Sequence, residues 1–298
     1  MKSTKINLKF LPGAILFLCA SVLFSCQKDE SVAPAVSEEE AITMSEENAA
    51  ADAEYEETAE IGLSAEADME AAARAGRNNF GAGITANLDL FADLGFRLGP
   101  CAQITVTPND TTYPKTVTID YGAGCICRDG KFRKGAIILH YTKPLRVSGA
   151  ELTITFRDYY VNRAHIEGKK IIKNQTQAGV RQYSVVVIDG KVTWPNGRGF
   201  KYEKVKTVTQ VRGSETLTVR DDVYSIEGRS KTTYNNGVTV NKNTESPLIK
   251  PVECNWIVKG ILKIKINNRE LFLDYGNGNC DNKAILSWND HEREITLP

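Results

Sequence analysis

Five cysteines in the body of the chain are spaced as two disulfides would require. Cys101 and Cys125 enclose one expected hairpin, and Cys254 and Cys280 enclose another. The first 25 residues have the pattern of a secretory signal, and in an exported protein cysteines before and after the same hairpin most simply bond to each other. We therefore predict two disulfides, Cys101–Cys125 and Cys254–Cys280. Cys127 is an alternative to Cys125, because strand alternation places both residues on one face.

The same part of the chain also carries candidate metal ligands. Cys101, Cys125 and Cys127 supply three soft ligands, but a zinc site would need a fourth cysteine or a histidine at short spacing. Oxygen ligands for calcium occur on one glycine-rich segment, at Asp274, Asn277, Asn279 and Asp281. This segment lacks the residue order and the late glutamate of an EF-hand, and its residue types are typical of turns. We therefore predict no metal ion and no cofactor.

The residue pattern gives little support to catalysis. The three histidines, His140, His165 and His291, are isolated from one another in sequence. The chain has no Gly-x-Ser-x-Gly, His-Glu-x-x-His or P-loop motif. Carboxylates are plentiful, but no pattern singles out a pair for acid and base chemistry. We predict a non-catalytic protein, and a hydrolase that acts on polysaccharide is the alternative.

Aromatic and basic side chains favour binding instead. Sugar rings could stack on six aromatic residues, Trp194, Trp256, Trp288, Tyr159, Tyr160 and Tyr202. Acidic glycans or lipopolysaccharide could contact four basic residues, Lys201, Lys204, Lys206 and Arg212. The pattern thus predicts a binding or structural module for a glycan, an envelope component or a protein. It fits equally well with aromatic residues that cap a core and lysines that protect strand edges.

Two other ligand classes have less support. Nucleic acid is not an expected partner, because the basic residues are scattered along the chain and export is expected. A carrier of an apolar ligand is a further alternative to the binding module. It would require a closed barrel with an apolar lumen.

The elements that hold these residues have the composition of β-structure. After Gly76 the chain is rich in Val, Ile, Thr and Tyr, with polar turns at 194–197, 234–237, 266–269 and 288–291. Apolar and polar residues alternate at 116–121 and at 262–266. We predict one all-β domain over 78–298, an antiparallel meander of about a dozen strands. An open curled sheet, a sandwich and a barrel all fit. One short amphipathic helix is expected at 84–96.

Two segments of this domain repeat the same residue order. Residues 120–124 and 274–278 share the pattern Asp-Tyr-Gly-x-Gly, and a cysteine precedes each by 19 or 20 positions. Matching order and spacing indicate two related β units, at about 101–127 and 254–280.

A strongly acidic segment precedes the domain. Residues 27–75 carry a formal charge of −13, whereas residues 76–298 carry +10. Few large apolar residues occur in this tether (residues 26–77), so we predict a disordered or partly helical spacer, in which helix propensity is highest at 65–75. Its opposite charge would allow the basic body to fold back onto it.

The first residues predict export. Lys2, Lys5 and Lys9 precede an apolar run that ends at Phe24, and the run is too short and too interrupted for a membrane span. We therefore predict a signal peptide at 1–25, removed before Cys26.

Leu23-Phe24-Ser25-Cys26 resembles the processing site of bacterial lipoproteins, in which a small residue precedes a lipidated cysteine. The next four residues, Gln27, Lys28, Asp29 and Glu30, resemble the surface-export tag of lipoproteins from Bacteroidota. The resemblance implies a thioether-linked lipid on Cys26, an outer-membrane location and exposure at the cell surface, with the periplasmic face as the alternative. In composition the body is similar to β-rich lipoproteins of that phylum.

Overall fold

The computed structural model describes residues 37–76, 94–95, 98–215 and 220–297. Its main elements are a long helix, α1 (Glu38–Arg74), a 3₁₀ turn (Gly99–Cys101) and a sheet of fourteen strands. The strands are β1 (Gln103–Thr107), β2 (Lys115–Asp120), β3 (Cys125–Ile126), β4 (Phe132–Tyr141), β5 (Glu151–Val161), β6 (Ala164–Asn174), β7 (Gln182–Thr193), β8 (Gly199–Arg212), β9 (Val223–Tyr234), β10 (Thr239–Pro251), β11 (Lys259–Ile266), β12 (Arg269–Asn277), β13 (Lys283–Trp288) and β14 (His291–Thr296).

The sheet is an antiparallel meander. From β4 to β14 each strand pairs with the next strand in the chain, while β1 pairs with β2, β2 pairs with β4, and β3 adds a short pair to β4. Strands β1 and β14 stand at opposite ends of this order, so the sheet is open. The predicted all-β antiparallel fold is confirmed. Of the three architectures left open by the sequence, the structure shows the open sheet, but this sheet is uncurled rather than curled as expected.

The pattern of apolar residues and turns positions these strands. In β2, Val117 and Ile119 have no exposed surface, whereas Thr116 and Thr118 are partly exposed. All four predicted turns join consecutive strands, namely β7 to β8, β9 to β10, β11 to β12 and β13 to β14. Asn267 lies in the third of these turns with a φ of 49°, a left-handed conformation that asparagine tolerates. The alternation and the turns are therefore confirmed.

Helix α1 begins at a capping box. The Glu40 backbone N–H donates to the Ser37 hydroxyl at 3.2 Å, and the Ser37 backbone N–H donates to the Glu40 carboxylate at 2.9 Å. These two bonds satisfy groups that the first turn of a helix leaves unpaired. The helix extends over 37 residues, far beyond the range of 65–75 suggested by helix propensity alone.

The helix packs on one face of the sheet, which corrects the expectation of a spacer. Tyr55, Ile61, Ala65 and Met69 are each at most 2 % exposed. At Gly62 the helix comes so close to β5 that an added Cβ would lie 2.7 Å from a Leu152 methyl carbon. The acidic segment is therefore folded with the sheet from Ser37 onward. Sequence reasoning missed this burial because the large apolar residues of the buried stripe are few and widely spaced along the helix.

Hydrogen bonds hold the helix along most of its length. The Tyr55 hydroxyl donates to the Glu167 carbonyl at 2.5 Å, and the Tyr234 hydroxyl donates to the Met44 carbonyl at 2.9 Å. The Tyr141 hydroxyl donates to the Gly62 carbonyl at 2.7 Å. Three tyrosine hydroxyls of the described chain thus fix the contact between helix and sheet.

Several expectations fall on residues outside the described ranges. These are the signal peptide at 1–25, Cys26, the tag at 27–30 and nearly all of the helix expected at 84–96. Leu94 lies within that last range and is helical and buried, and its backbone N–H donates to the Asp68 carboxylate at 3.1 Å. In the part of the chain that the structure describes, no helix combines the length and the apolarity that a bilayer crossing requires.

Candidate functional site

Three cysteines meet where the sheet begins. The 3₁₀ turn carries Cys101 and β3 carries Cys125, and a disulfide joins them with a Cα separation of 5.8 Å. Cys127, just beyond β3, is a buried free thiol. The three sulfur atoms all lie within 4.8 Å of one another. Because two of the three sulfurs are bonded to each other, this donor set is not available as three thiolates in the oxidised form.

We call these three residues the cysteine cluster. Charged groups from the helix, from β4 and from the turn before β4 surround it. The Arg133 side chain has no exposed surface, and it donates to the Asp129 carboxylate at 2.6 Å and to the Glu57 carboxylate at 2.5 Å. Lys131 pairs with Glu57 at 2.7 Å and with Glu54 at 3.0 Å. The acidic helix thus supplies counter-charges to a basic strand beside the cluster.

Two buried polar atoms here lack partners among the described residues. They are the Arg133 Nε and the Tyr121 hydroxyl oxygen. Buried polar groups usually make a hydrogen bond, so the lack of a partner at these two atoms is unusual. Burial raises the pKa of the Cys127 thiol, and the neighbouring Arg133 guanidinium offsets part of that rise.

The second disulfide lies in the related unit. Cys254 and Cys280 are bonded with a Cα separation of 5.8 Å, the same value as in the first unit. In each unit the aspartate of the repeated pattern accepts a hydrogen bond at 2.8 Å from the glycine two residues later, at Gly122 and at Gly276. Both glycines have positive φ, at 57° and 89°. The shared residue order therefore corresponds to a shared turn geometry.

The oxygen-rich segment considered for calcium spans the end of β12 and the loop that leads to β13, and its aspartates bind neighbouring backbone N–H groups. Asp274 accepts from the Gly276 backbone N–H at 2.8 Å, and Asp281 accepts from the Lys283 backbone N–H at 3.0 Å. Bonds of this kind are those by which Asx side chains stabilise turns.

The six aromatic residues proposed for sugar stacking do not form one surface. Tyr159 and Tyr202 are buried on the helix-facing side, at 2 % and 1 % exposure. The others have separate neighbours or positions: Tyr160 stacks on His165, Trp194 packs edge-on against Phe200, Trp288 lies near His291, and Trp256 is half-buried after β10. An aromatic strip is therefore the wrong description of a ligand surface in this protein.

Two of the four proposed basic residues face the helix as well. Lys204 and Lys206 bind the Glu56 carboxylate at 2.9 Å and 2.8 Å. Lys201 and Arg212 are exposed. The four residues do not form one basic surface, because successive side chains of a strand point to opposite faces of the sheet. In this part of β8 the even-numbered positions face α1 and the odd-numbered ones face away.

The sheet face opposite the helix carries a groove that sequence reasoning did not identify. It has a volume of about 680 Å³ and runs across β8 to β12. We call it the outer groove and define it by ten lining residues, Glu203, Val205, Arg229, Lys231, Asn241, Asn243, Glu245, Lys263, Lys265 and Glu270. Two cross-strand rows build it.

The first row crosses five strands in the order Glu203, Lys231, Asn241, Lys265 and Glu270. The second row crosses the same strands in the order Val205, Arg229, Asn243, Lys263 and Phe272. Each row therefore places an amide between two cations at the centre of the groove. Strand register creates these rows, so no single stretch of sequence shows them.

The cations of the outer groove differ in their neighbours. Lys263 pairs with Glu270 at 3.0 Å, and Lys265 lies 4.0 Å from the same carboxylate. Arg229 and Lys231 are exposed and have no ion-pair partner among the described residues. They are thus the two groove cations that an incoming anion could contact without displacing a carboxylate.

Comparison with known proteins identifies no relative: no family model, curated protein or solved structure matches the chain.

Proposed function

We propose that this chain is a lipid-anchored outer-membrane protein, exposed at the cell surface, whose outer groove binds an acidic glycan without catalysing a reaction. One observation carries the binding proposal: an exposed groove on the face opposite the helix holds, beside two amides, two cations that have no ion-pair partner among the described residues. Carboxylate or sulfate groups would bind Arg229 and Lys231, and the amides of Asn241 and Asn243 can both donate to and accept from sugar hydroxyls.

The alternative functions have weaker support in this geometry. A polysaccharide hydrolase needs two carboxyl groups roughly 5–10 Å apart. Glu203 and Glu270, the two carboxylates in the cross-strand rows, lie at opposite ends of one row, four strand spacings or about 19 Å apart. A carrier of an apolar ligand needs free apolar space, and Tyr55, Ile61 and Met69 of the helix fill the apolar face of the sheet.

Reversing the two free cations should abolish most glycan binding. We expect the mature wild-type chain to bind dextran sulfate in a salt-dependent manner and to bind uncharged dextran weakly or not at all. The double substitution Arg229→Glu/Lys231→Glu should weaken binding to dextran sulfate at least tenfold, a change of about 1.4 kcal/mol. Biolayer interferometry on immobilised polysaccharide measures both affinities.

A matched control separates the groove from overall charge. Lys169 and Lys173 are exposed on β6, on the same side of the sheet and outside the groove, and Lys169→Glu/Lys173→Glu changes the net charge equally. This variant should retain wild-type affinity within about threefold, because screened charges more than about 10 Å away contribute little. Equal losses in the two variants, or no binding by the wild type, would refute the groove as the site.

The anchor has its own test. Cys26→Ser removes the thiol to which lipid would attach, and we expect the protein to move from the membrane fraction to the soluble fraction. One acyl chain already gives reversible membrane binding and further chains hold firmly, so loss of all of them should be nearly complete. Detergent phase partitioning of both forms measures the change. Continued membrane attachment of Cys26→Ser would contradict lipid anchoring while leaving the groove proposal standing.

A further inference from the structure

The cysteine cluster contains a nucleophile that neither the fold nor the proposed glycan groove uses. Cys127 is 3 % exposed and carries the free thiol, while Cys125 is partly exposed and belongs to the disulfide with Cys101. The three sulfur atoms lie within 4.8 Å of one another. The Cys127 sulfur can therefore reach either sulfur of the bridge after a small side-chain movement.

Arg133 provides the second observation. Its two terminal nitrogens are bound by Asp129 and Glu57, and its Nε has no hydrogen-bond partner among the described residues. The guanidinium lies beside the Cys127 thiol and partly offsets the effect of burial on it. A fixed cation next to a thiol stabilises the thiolate, which is the form that attacks a disulfide. Arg133 thus favours the Cys127 thiolate, although burial and the carboxylates of Asp129 and Glu57 keep the pKa of the thiol above its ordinary value.

We propose that Cys127 exchanges with the Cys101–Cys125 disulfide, so that the bridge exists in two forms, Cys101 to Cys125 and Cys101 to Cys127. The Cys127 thiolate attacks the sulfur of Cys101, a new bond forms between these sulfurs, and the bond from Cys101 to Cys125 breaks. Cys125 leaves as a thiolate and takes up the proton that Cys127 released. The number of disulfides and thiols is unchanged, so the step requires no oxidant or reductant.

Exchange would move the free thiol from a buried position to a partly exposed one. Cys125 lies in β3 next to Ile126, whose side chain is 74 % exposed. A thiol at Cys125 can react with a thiol or disulfide in solution, whereas a thiol at Cys127 is shielded. The cluster is therefore a site for reversible mixed-disulfide formation with a small thiol or a partner cysteine.

Alkylation of the native wild-type protein with iodoacetamide tests the proposal directly. We expect tandem mass spectrometry to find most of the label on Cys125, although Cys127 is the free thiol in the structure. Label found only on Cys127, or no label at either residue after prolonged reaction, would overturn the proposal.

Single substitutions give a second readout. In Cys125→Ser we expect a bridge between Cys101 and Cys127 that resists alkylation, and in Cys127→Ser the bridge between Cys101 and Cys125. Cys101→Ser is the control, in which no bridge to residue 101 can form, so the partly exposed Cys125 should be alkylated while Cys127 stays shielded. A folded Cys125→Ser protein in which Cys101 is alkylated would refute exchange. If that variant does not fold, the labelling of the wild type alone decides whether exchange occurs.

Discussion

Replacing Glu56 with alanine is expected to lower the free energy of unfolding by about 2–3 kcal/mol. Glu56 is the counter-ion of three lysines of the sheet: Lys204 at 2.9 Å, Lys206 at 2.8 Å and Lys170 at 3.5 Å. Burial opposes ionisation of Glu56, but these lysines together hold the pKa of its carboxyl well below the ordinary value. The expected loss is below that of a fully buried pair, because the Glu56 side chain keeps 35 % exposure and water screens it.

Lys170 accounts for most of this loss. Its side chain has no exposed surface, and burial lowers its pKa to about 8 even with Glu56 present. Without Glu56 the ammonium would keep only its bond to the Tyr55 carbonyl, at 2.7 Å, as a described hydrogen bond. The double substitution Glu56→Ala/Lys170→Met should therefore recover part of the stability, because it removes the unpaired buried charge.

The control for this prediction is on the same helix. Glu70 also binds two cations, Arg146 at 2.9 Å and Arg74 at 3.0 Å, but these arginines are 61 % and 76 % exposed. Glu70→Ala should cost less than about 1 kcal/mol, as exposed ion pairs do. Urea unfolding followed by circular dichroism measures all three variants. A cost for Glu56→Ala no greater than that for Glu70→Ala would show that the buried cluster does not stabilise the helix.

Glu66→Gln is expected to stabilise the protein by about 2 kcal/mol at pH 8 and to have little effect near pH 4. Glu66 is 7 % exposed, and its carboxylate accepts a hydrogen bond from the Leu145 backbone N–H. Burial raises the pKa of Glu66 to about 7, although that hydrogen bond lowers it in part. The glutamine side chain introduced by this substitution keeps an oxygen acceptor for the Leu145 N–H and carries no charge.

The sign of this effect follows from proton linkage. The ordinary pKa of a glutamate is 4.5, and the pKa of Glu66 in the folded chain is about 7. Between these two pH values the unfolded chain releases the Glu66 proton while the folded chain retains it. The stabilising contribution of the protonated group is thus complete below pH 4.5 and is lost as the pH rises through 7. The difference in unfolding free energy between Glu66→Gln and wild type should grow across that window. Glu292→Gln, at an exposed position on β14, controls for the loss of one negative charge, and a pH-independent difference for Glu66→Gln would contradict the prediction.

Local patterns were sufficient to predict the strands. Alternation in β2 and β11 and the polar tetrapeptides at the turns act within a few residues, and the structure shows them as expected. The packed helix was missed although one local signal was present, since Ser37 and Glu40 have the spacing of a capping box. Its burial depends on contacts such as that of Tyr55 with Glu167, which no local pattern contains.

The outer groove could not be predicted from the sequence, for a related reason. Arg229 and Lys231 acquire their neighbours only through the register of β9 with β8 and β10. A shift of one residue in that register would place both cations on the helix-facing side. The basic residues selected from sequence, Lys204 and Lys206, belong to the helix contact because proximity along the chain gives no information on strand face.

The order of elements along the chain constrains how the molecule folds during synthesis. From β4 onward each strand pairs with its successor, so the sheet can grow as the polypeptide emerges. Helix α1 emerges before the sheet, yet its hydrogen bonds join residues far apart in sequence. Tyr55 bonds to Glu167, 112 positions later, and Met44 bonds to Tyr234, 190 positions later. The helix can complete its docking only after β9 is made. Until then the nascent sheet exposes an apolar side, and that interval is when a chaperone would have to protect it.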